Sequence, residues 1–312
     1  MTPPGCMPAR DPEKFPHMTL HSSLPADLQH WVADRLPGLT TVTDASWRGE
    51  SKVWRVASDT DEAYVKLSQT PEDYAREVQA YQHTARSLAA HEAPRLLAAE
   101  PGLRAIMTSP LPGLVVKGLS LPDQDESQVH GLAGRLLKRW HDHTEPAPDQ
   151  ARDAIMASVA KQADEAAACL ERTGEHLTDA QRALVQEVAR ELPDLADDLP
   201  LVYRHGDYSP RNWLWDAEHG THGVIDFEKS QHGIAVEDLV WLYGALWPTR
   251  PDLKAAFLAG YGRALSDAEA RALHLLTARL AVSYLTTGIT KEEPVLVERG
   301  RTALGHLVRA PG

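Results

Sequence analysis

The chain has 312 residues, enough for two lobes with a cleft between them, and a formal net charge of −12 that argues against a nucleic-acid backbone as partner and suits cationic small molecules. Its two cysteines, Cys6 and Cys169, are too few for a disulfide framework or a zinc site, so two free thiols in a reducing compartment are expected. No run of 18 apolar residues and no apolar signal core occurs, which points to a cytoplasmic protein with no membrane partner.

Residues 1–22 read as a loose N-terminal tail, 23–110 as a first lobe and 111–312 as a second. Leu24 to Leu36 has apolar residues at helical spacing. Thr40 to Trp47, Lys52 to Ala57 and Glu62 to Leu67 read as strands, joined by Arg48-Gly49-Glu50-Ser51 and Ser58-Asp59-Thr60-Asp61. Thr70-Pro71-Glu72-Asp73 is a helix start, with a Thr cap, Pro at the first helical position and an acid at the third. Tyr74, Val78 and Tyr81 continue it as a stripe. Arg95 to Ala99 and Leu103 to Met107 complete a small antiparallel sheet, and a hinge is expected near residues 108–113. From Gln128 to Leu199 the pattern is helical. Short strands return at Leu201 to Tyr203, Trp213 to Trp215 and Gly223 to Phe227, and everything after Val236 reads as helix with breaks at Pro248 and near Ser266. A sheet with one helix, followed by a mainly helical region, is an α+β arrangement.

The chemistry concentrates in His205-Gly206-Asp207-Tyr208-Ser209-Pro210-Arg211-Asn212 and Ile225-Asp226-Phe227. A carboxylate, an amide and a second carboxylate stand at offsets of five and fourteen residues. Phosphoryl transfer needs that set: one base for an incoming hydroxyl and two hard oxygen ligands for Mg²⁺. Asp207 is the expected base, and Asn212 and Asp226 the metal ligands. Lys66 ends the third strand and shares a face with Tyr64. Lys66 would reach the α and β phosphates, and Tyr64 would stack on the purine. Glu77, beside the buried stripe of the next helix, would pair with Lys66; Glu72 is the rival but lies in the first turn, where the helix dipole accounts for it. Gly49 permits close backbone approach to phosphate and Ser51 could donate to it. If backbone groups one and three residues past the first hinge position read the purine, Pro110 cannot be the donor. Thr108 then opens the hinge, with Ser109 C=O and Leu111 N–H as contacts. Asp238 would cap a helix or tie the catalytic loop down. His141-Asp142-His143 resembles a metal pair but lacks further ligands.

In these motifs the chain resembles the aminoglycoside phosphotransferase and choline-kinase family. That family's loop of His-Gly-Asp, four residues and Asn is matched by His205 to Asn212, and its metal-binding Asp by Asp226. The resemblance spans roughly residues 40–290. It implies a protein-kinase-like bilobal fold, ATP (with GTP as alternative) and Mg²⁺ as cofactors, and a monomer or homodimer. Ser209 stands where protein kinases usually have Lys, and Arg211 could partly replace that charge. Nine residues separate Glu228 from Asp238, which leaves no room for a peptide-docking segment. The expected substrate is therefore a small-molecule hydroxyl, with an aminoglycoside-like or other antibiotic leading. A sugar, choline-like or amino alcohol in metabolism is the closest rival. A choline-type acceptor would want an aromatic cage, for which Trp213, Trp215, Trp241 and Trp247 are numerous enough. A nucleotide-binding regulator is the non-catalytic alternative.

Overall fold

The computed structural model describes residues 24–46, 52–143 and 149–309. The expected tail and the phosphate-loop residues Gly49 and Ser51 lie outside the described residues.

A short helix α1 (Ala26–Ala33) precedes a five-stranded antiparallel sheet of β1 (Thr41–Asp44), β2 (Val53–Ala57), β3 (Glu62–Leu67), β4 (Leu96–Glu100) and β5 (Ala105–Thr108). The order is β1-β2-β3-β5-β4. In β3 the side chains of Ala63 and Val65 are buried while Tyr64 and Lys66 face the other way, as period-two alternation requires. Leu28, Trp31 and Val32 of α1 pack with Trp54, Val56, Val65 and Met107 into the core on that apolar side. Helix α2 (Pro71–Ser87) begins as its sequence dictates: Thr70 Oγ1 accepts the Asp73 N–H at 3.0 Å, with Pro71 at the first position.

The rest of the chain is mainly helical: α3 (Asp123–Asp142), α4 (Asp149–Thr173), α5 (Asp179–Asp197), α6 (Val240–Ala245), α7 (Pro251–Tyr261), α8 (Asp267–Thr290) and α9 (Pro294–Leu307). Helix α8 is its buried centre, touching α4, α5, α6 and α9. Three hydrogen-bonded strands, β6 (Leu114–Val115), β8 (Trp213–Asp216) and β9 (Thr221–Val224), and a pair, β7 (Leu201–Arg204) with β10 (Gln231–Ile234), carry the loops between them. No helix among the described residues is long and apolar enough to cross a membrane.

Several boundaries differ from the sequence expectations. Helix α3 starts at Asp123, not Gln128, because Asp123, Asp125 and Glu126 favour the positive end of the helix dipole and need no apolar face. The strand expected over Gly223 to Phe227 stops at Val224, and Asp226 adopts a left-handed φ of 70°. A further break separates α8 from α9, where Glu292 has φ 56° and Pro294 opens the next helix. The tryptophans weighed as a cage do not form one. Trp213, Trp215 and Trp247 are buried, and Trp213 and Trp247 both pack on Phe257 in the core.

Candidate active site

The loop after β7 is held by one buried carboxylate. Asp238 Oδ2 accepts the His205 N–H at 2.8 Å and Oδ1 the Gly206 N–H at 2.7 Å. His141, at the end of α3, lies 3.0 Å from Asp238 through Nε2 and 2.9 Å from the Tyr261 hydroxyl through Nδ1. With Nε2–H donating to the carboxylate, Nδ1 accepts from Tyr261. Burial would raise the Asp238 pKa, but the His141 hydrogen bond and the positive potential of His141 and His205 hold it below the usual value. Asp238 is thus a tie for the loop, and His141 belongs to that tie instead of to a metal pair. Gly206 has φ 84°, and a Cβ there would meet Lys229 O at 2.2 Å, so glycine is required on both counts.

Asp207 follows. Its Oδ2 takes Arg211 Nε at 3.0 Å and also the Arg211 Nη2 hydrogen bond. Burial works against the Arg211 charge, but Asp207 outweighs it and raises the guanidinium pKa further. Asp207 Oδ1 enters no hydrogen bond of the described residues and the side chain stays part-exposed, so one oxygen is open to an alcohol. Asn212 donates Nδ2–H to Asp207 C=O at 2.9 Å, which turns its amide oxygen away as an unengaged acceptor. Ile225 N–H to Asn212 C=O, at 3.0 Å, stitches this loop to the segment that carries Asp226.

Asp226 stands on a buried wedge. Phe227 is fully buried, stacked on Trp140 at 5.3 Å and edge-on to Tyr81 at 5.2 Å. The left-handed backbone at a non-glycine residue is a costly conformation that such packing can hold. Above it, Lys66 Nζ meets three carboxylates: Glu77 at 3.1 Å, Asp226 at 2.9 Å and Glu228 at 3.1 Å. Burial alone would lower the Lys66 pKa, but these three charges reverse that and hold it well above its ordinary value. Glu77 is almost wholly buried, which pushes its pKa up to about 7 even with Lys66 beside it. Asp226 goes the other way, because Lys66 outweighs its burial and holds it below the usual carboxylate value. Arg76 Nε, donating to Glu228 C=O at 3.1 Å, fixes α2 against the same triplet.

The structure therefore brings Lys66, Glu77 and Asp226 into one cluster, and joins Asp207 and Asn212 in one loop beside it. Glu72 takes no part. Glu228 is a member of the lysine cluster that the sequence did not reveal as one. The open oxygens of Asn212 and Asp226 are hard acceptors of the kind Mg²⁺ takes, so the donor set suits that ion. Tyr64 pairs in register with Thr108, and Lys66 with Ile106, which sets the Tyr64 face next to the hinge. Ser109 is pinned there by its N–H to Arg95 C=O and by the Arg95 N–H to its Oγ, both 2.9 Å. Ser109 C=O and Leu111 N–H take no part in the hydrogen bonds of the described residues. Gly113, with φ 107°, closes against the Trp215 backbone, where a Cβ would sit 2.7 Å from Trp215 C.

A sequence model of the family described as the phosphotransferase enzyme family matches residues 41–275. No curated protein matches the chain. Among solved structures, the gentamicin complex of APH(2")-IIa is similar with a TM-score of 0.61 at 15% identity, covering 90% of this chain and 96% of that one. The GDP complex of aminoglycoside 2'-phosphotransferase-IIIa gives 0.64 at 15% identity, over 91% and 98%. Macrolide 2'-phosphotransferase MphH from Brachybacterium faecium gives 0.57 at 17% identity, over 90% and 98%. At such identities the likeness is one of fold: a small antiparallel sheet lobe and a mainly helical lobe, as in the protein kinases.

Proposed function

The chain belongs to the phosphotransferase enzyme family, and from that premise we propose that it is an ATP- and Mg²⁺-dependent kinase for a small-molecule hydroxyl. An antibiotic is the leading acceptor class, supported by neighbours named for aminoglycosides and macrolides. The observation that carries the proposal is the shared arrangement of Lys66 with Asp226 and of Asp207 with Asn212 on two stitched segments.

In this reading Asp207 Oδ1 accepts the hydrogen bond of the acceptor hydroxyl and orients it. The hydroxyl oxygen forms a bond to the γ-phosphorus as the bond to the β,γ-bridging oxygen breaks. The proton passes late to Asp207, and ADP leaves. Asn212 and Asp226 would hold Mg²⁺, which supplies charge neutralisation at the phosphates. Lys66, steadied by Glu77, donates to the α and β phosphates. Arg211, bound to Asp207 through Nε and Nη2, keeps Nη1 for a phosphoryl oxygen and so stands in for the missing charge at Ser209. Tyr64 stacks under the purine, whose edge reads Ser109 C=O and Leu111 N–H, and Gly49 and Ser51, outside the described residues, are the expected phosphate contacts. The GDP complex among the neighbours supports GTP as an alternative donor.

The test is ADP release with Mg·ATP over a panel of hydroxyl-bearing antibiotics, sugars and amino alcohols, with mass detection of one added phosphate. Tight Mg·ATP binding without turnover of any acceptor would turn the reading toward a nucleotide-binding regulator.

A further inference from the structure

Of the run His141-Asp142-His143, two members are engaged at the surface: Lys138 Nζ binds Asp142 Oδ2 at 2.6 Å, and His143 Nδ1 meets the Arg139 carbonyl at 2.8 Å. His141 is buried and stands in the middle of a chain. The Tyr261 hydroxyl on α7 lies 2.9 Å from its Nδ1, and its Nε2 lies 3.0 Å from Asp238 Oδ2. Asp238 in turn accepts the N–H groups of His205 and Gly206, the two residues before Asp207. Burial pushes the Tyr261 phenol up to about 12, so it keeps its proton and donates. Nδ1 is then the acceptor and Nε2 carries the hydrogen that Asp238 takes. Three donors thus set the plane of one carboxylate. Oδ2 is shared by His141 and the His205 N–H, and Oδ1 is held by the Gly206 N–H alone. Without the His141 donor the carboxylate is free to turn about its last bond and to take Gly206 with it.

The residue after Asp207 is held by the same helix. Tyr208 is buried, and its hydroxyl donates to Ala133 C=O on α3 at 2.7 Å. Its ring stands edge-on to Phe257 of α7 at 6.4 Å. Helix α3 therefore grips the backbone on both sides of Asp207, through Ala133 and through His141. Helix α7 backs α3 without slack. A Cβ at Gly134 would fall 2.0 Å from Phe257 O, and one at Gly260 1.9 Å from Gly131 O, so the two backbones touch. Tyr261 follows Gly260, and that contact sets its height against His141.

We propose that His141 is a positioning residue for phosphoryl transfer, which aims Asp207 by fixing the Asp238 carboxylate from α3. The role in transfer rests on the kinase reading; the tether can be read without nucleotide. His141→Gln and His141→Asn separate hydrogen-bond donation from bulk. The Gln amide nitrogen falls near the place of Nε2 and can donate to Asp238. The Asn amide is one carbon shorter and falls near Nδ1, on the Tyr261 side. Turnover is read as hydrolysis of Mg·ATP, in which a water oxygen takes the place of the alcohol at the γ-phosphorus and ADP and phosphate leave. His141→Asn is expected to lower kcat by roughly tenfold or more at unchanged KM for ATP, and His141→Gln to stay within about threefold of the parent chain. In nitrogen–proton correlation spectra of the nucleotide-free protein, the Gly206 amide proton, deshielded by the carboxylate, should keep its position in His141→Gln and move upfield in His141→Asn. Tyr261→Phe removes one hydroxyl from an otherwise intact core and should move that proton the same way by a smaller amount. Equal kcat losses in the Gln and Asn variants in step with their Tm, a KM for ATP that rises as kcat falls, or a Gly206 amide that stays in place in Tyr261→Phe overturns the proposal. If the parent chain binds Mg·ATP by calorimetry yet transfers phosphate neither to water nor to any alcohol, the kinase reading falls and the role in transfer with it, while the amide shifts still report the tether.

Discussion

Asp207 binds Arg211 with one oxygen and leaves the other open, so substituting it separates alignment from nucleotide binding. Asp207→Asn is expected to lower kcat by about 10²-fold or more while Mg·ATP affinity is kept, read by coupled ADP release and calorimetry. Asp226→Ala should abolish Mg²⁺-dependent nucleotide binding; undiminished Mg·ATP heat would remove Asp226 from the metal role. The Lys66–Glu77 pair was legible because strand alternation gives Lys66 its face and the helical stripe gives Glu77 its face. Glu228 and His141 were not. Glu228 reaches Lys66 only because Asp226 turns left-handed, and His141 meets Asp238 across 97 residues of chain. No local signal encodes either contact.

The loop that carries Asp207 is an element set by its supports. Gly206→Ala forces a Cβ into Lys229 O and strains a positive φ, so kcat should fall at least tenfold and Tm should drop, with circular dichroism still folded. Asp238→Ala leaves two backbone N–H groups and His141 without their acceptor; removing one partner of a buried polar network costs roughly 3–5 kcal/mol, measurable by urea unfolding. Helix α2 is the contrasting case. Thr70→Ala should cost about 1 kcal/mol through loss of its cap, with little change in kcat. Its start was readable from Thr70-Pro71 alone. Strands β6 and β10 were not readable: the first has two residues, and the second, Gln-His-Gly-Ile, lacks apolar alternation and exists because β7 offers it hydrogen bonds.

At the scale of the molecule, three core histidines couple folding to acid. Burial pulls His83 and His130 down to about 4 and His222 to about 3, from an ordinary 6.5. They are neutral in the folded state, and the unfolded chain binds their protons first as pH falls. Stability should therefore be unaffected by them above about pH 7 and fall between pH 6.5 and the folded values, by up to about 1.4 kcal/mol per pH unit for each. Urea midpoints at pH 7.5, 6 and 5 test this, and His222→Gln should flatten the slope. The lobe order was legible from the run of strands followed by helices; the use of α8 as the central pillar was not, since its apolar residues surround the helix instead of marking one side. One consequence follows from β10. The nine residues after Glu228 are consumed by the strand laid against β7 and the single turn that reaches Asp238. No slack remains there for a modifying enzyme to seize. Under the proposed function, the rate at that point follows what diffuses into the cleft.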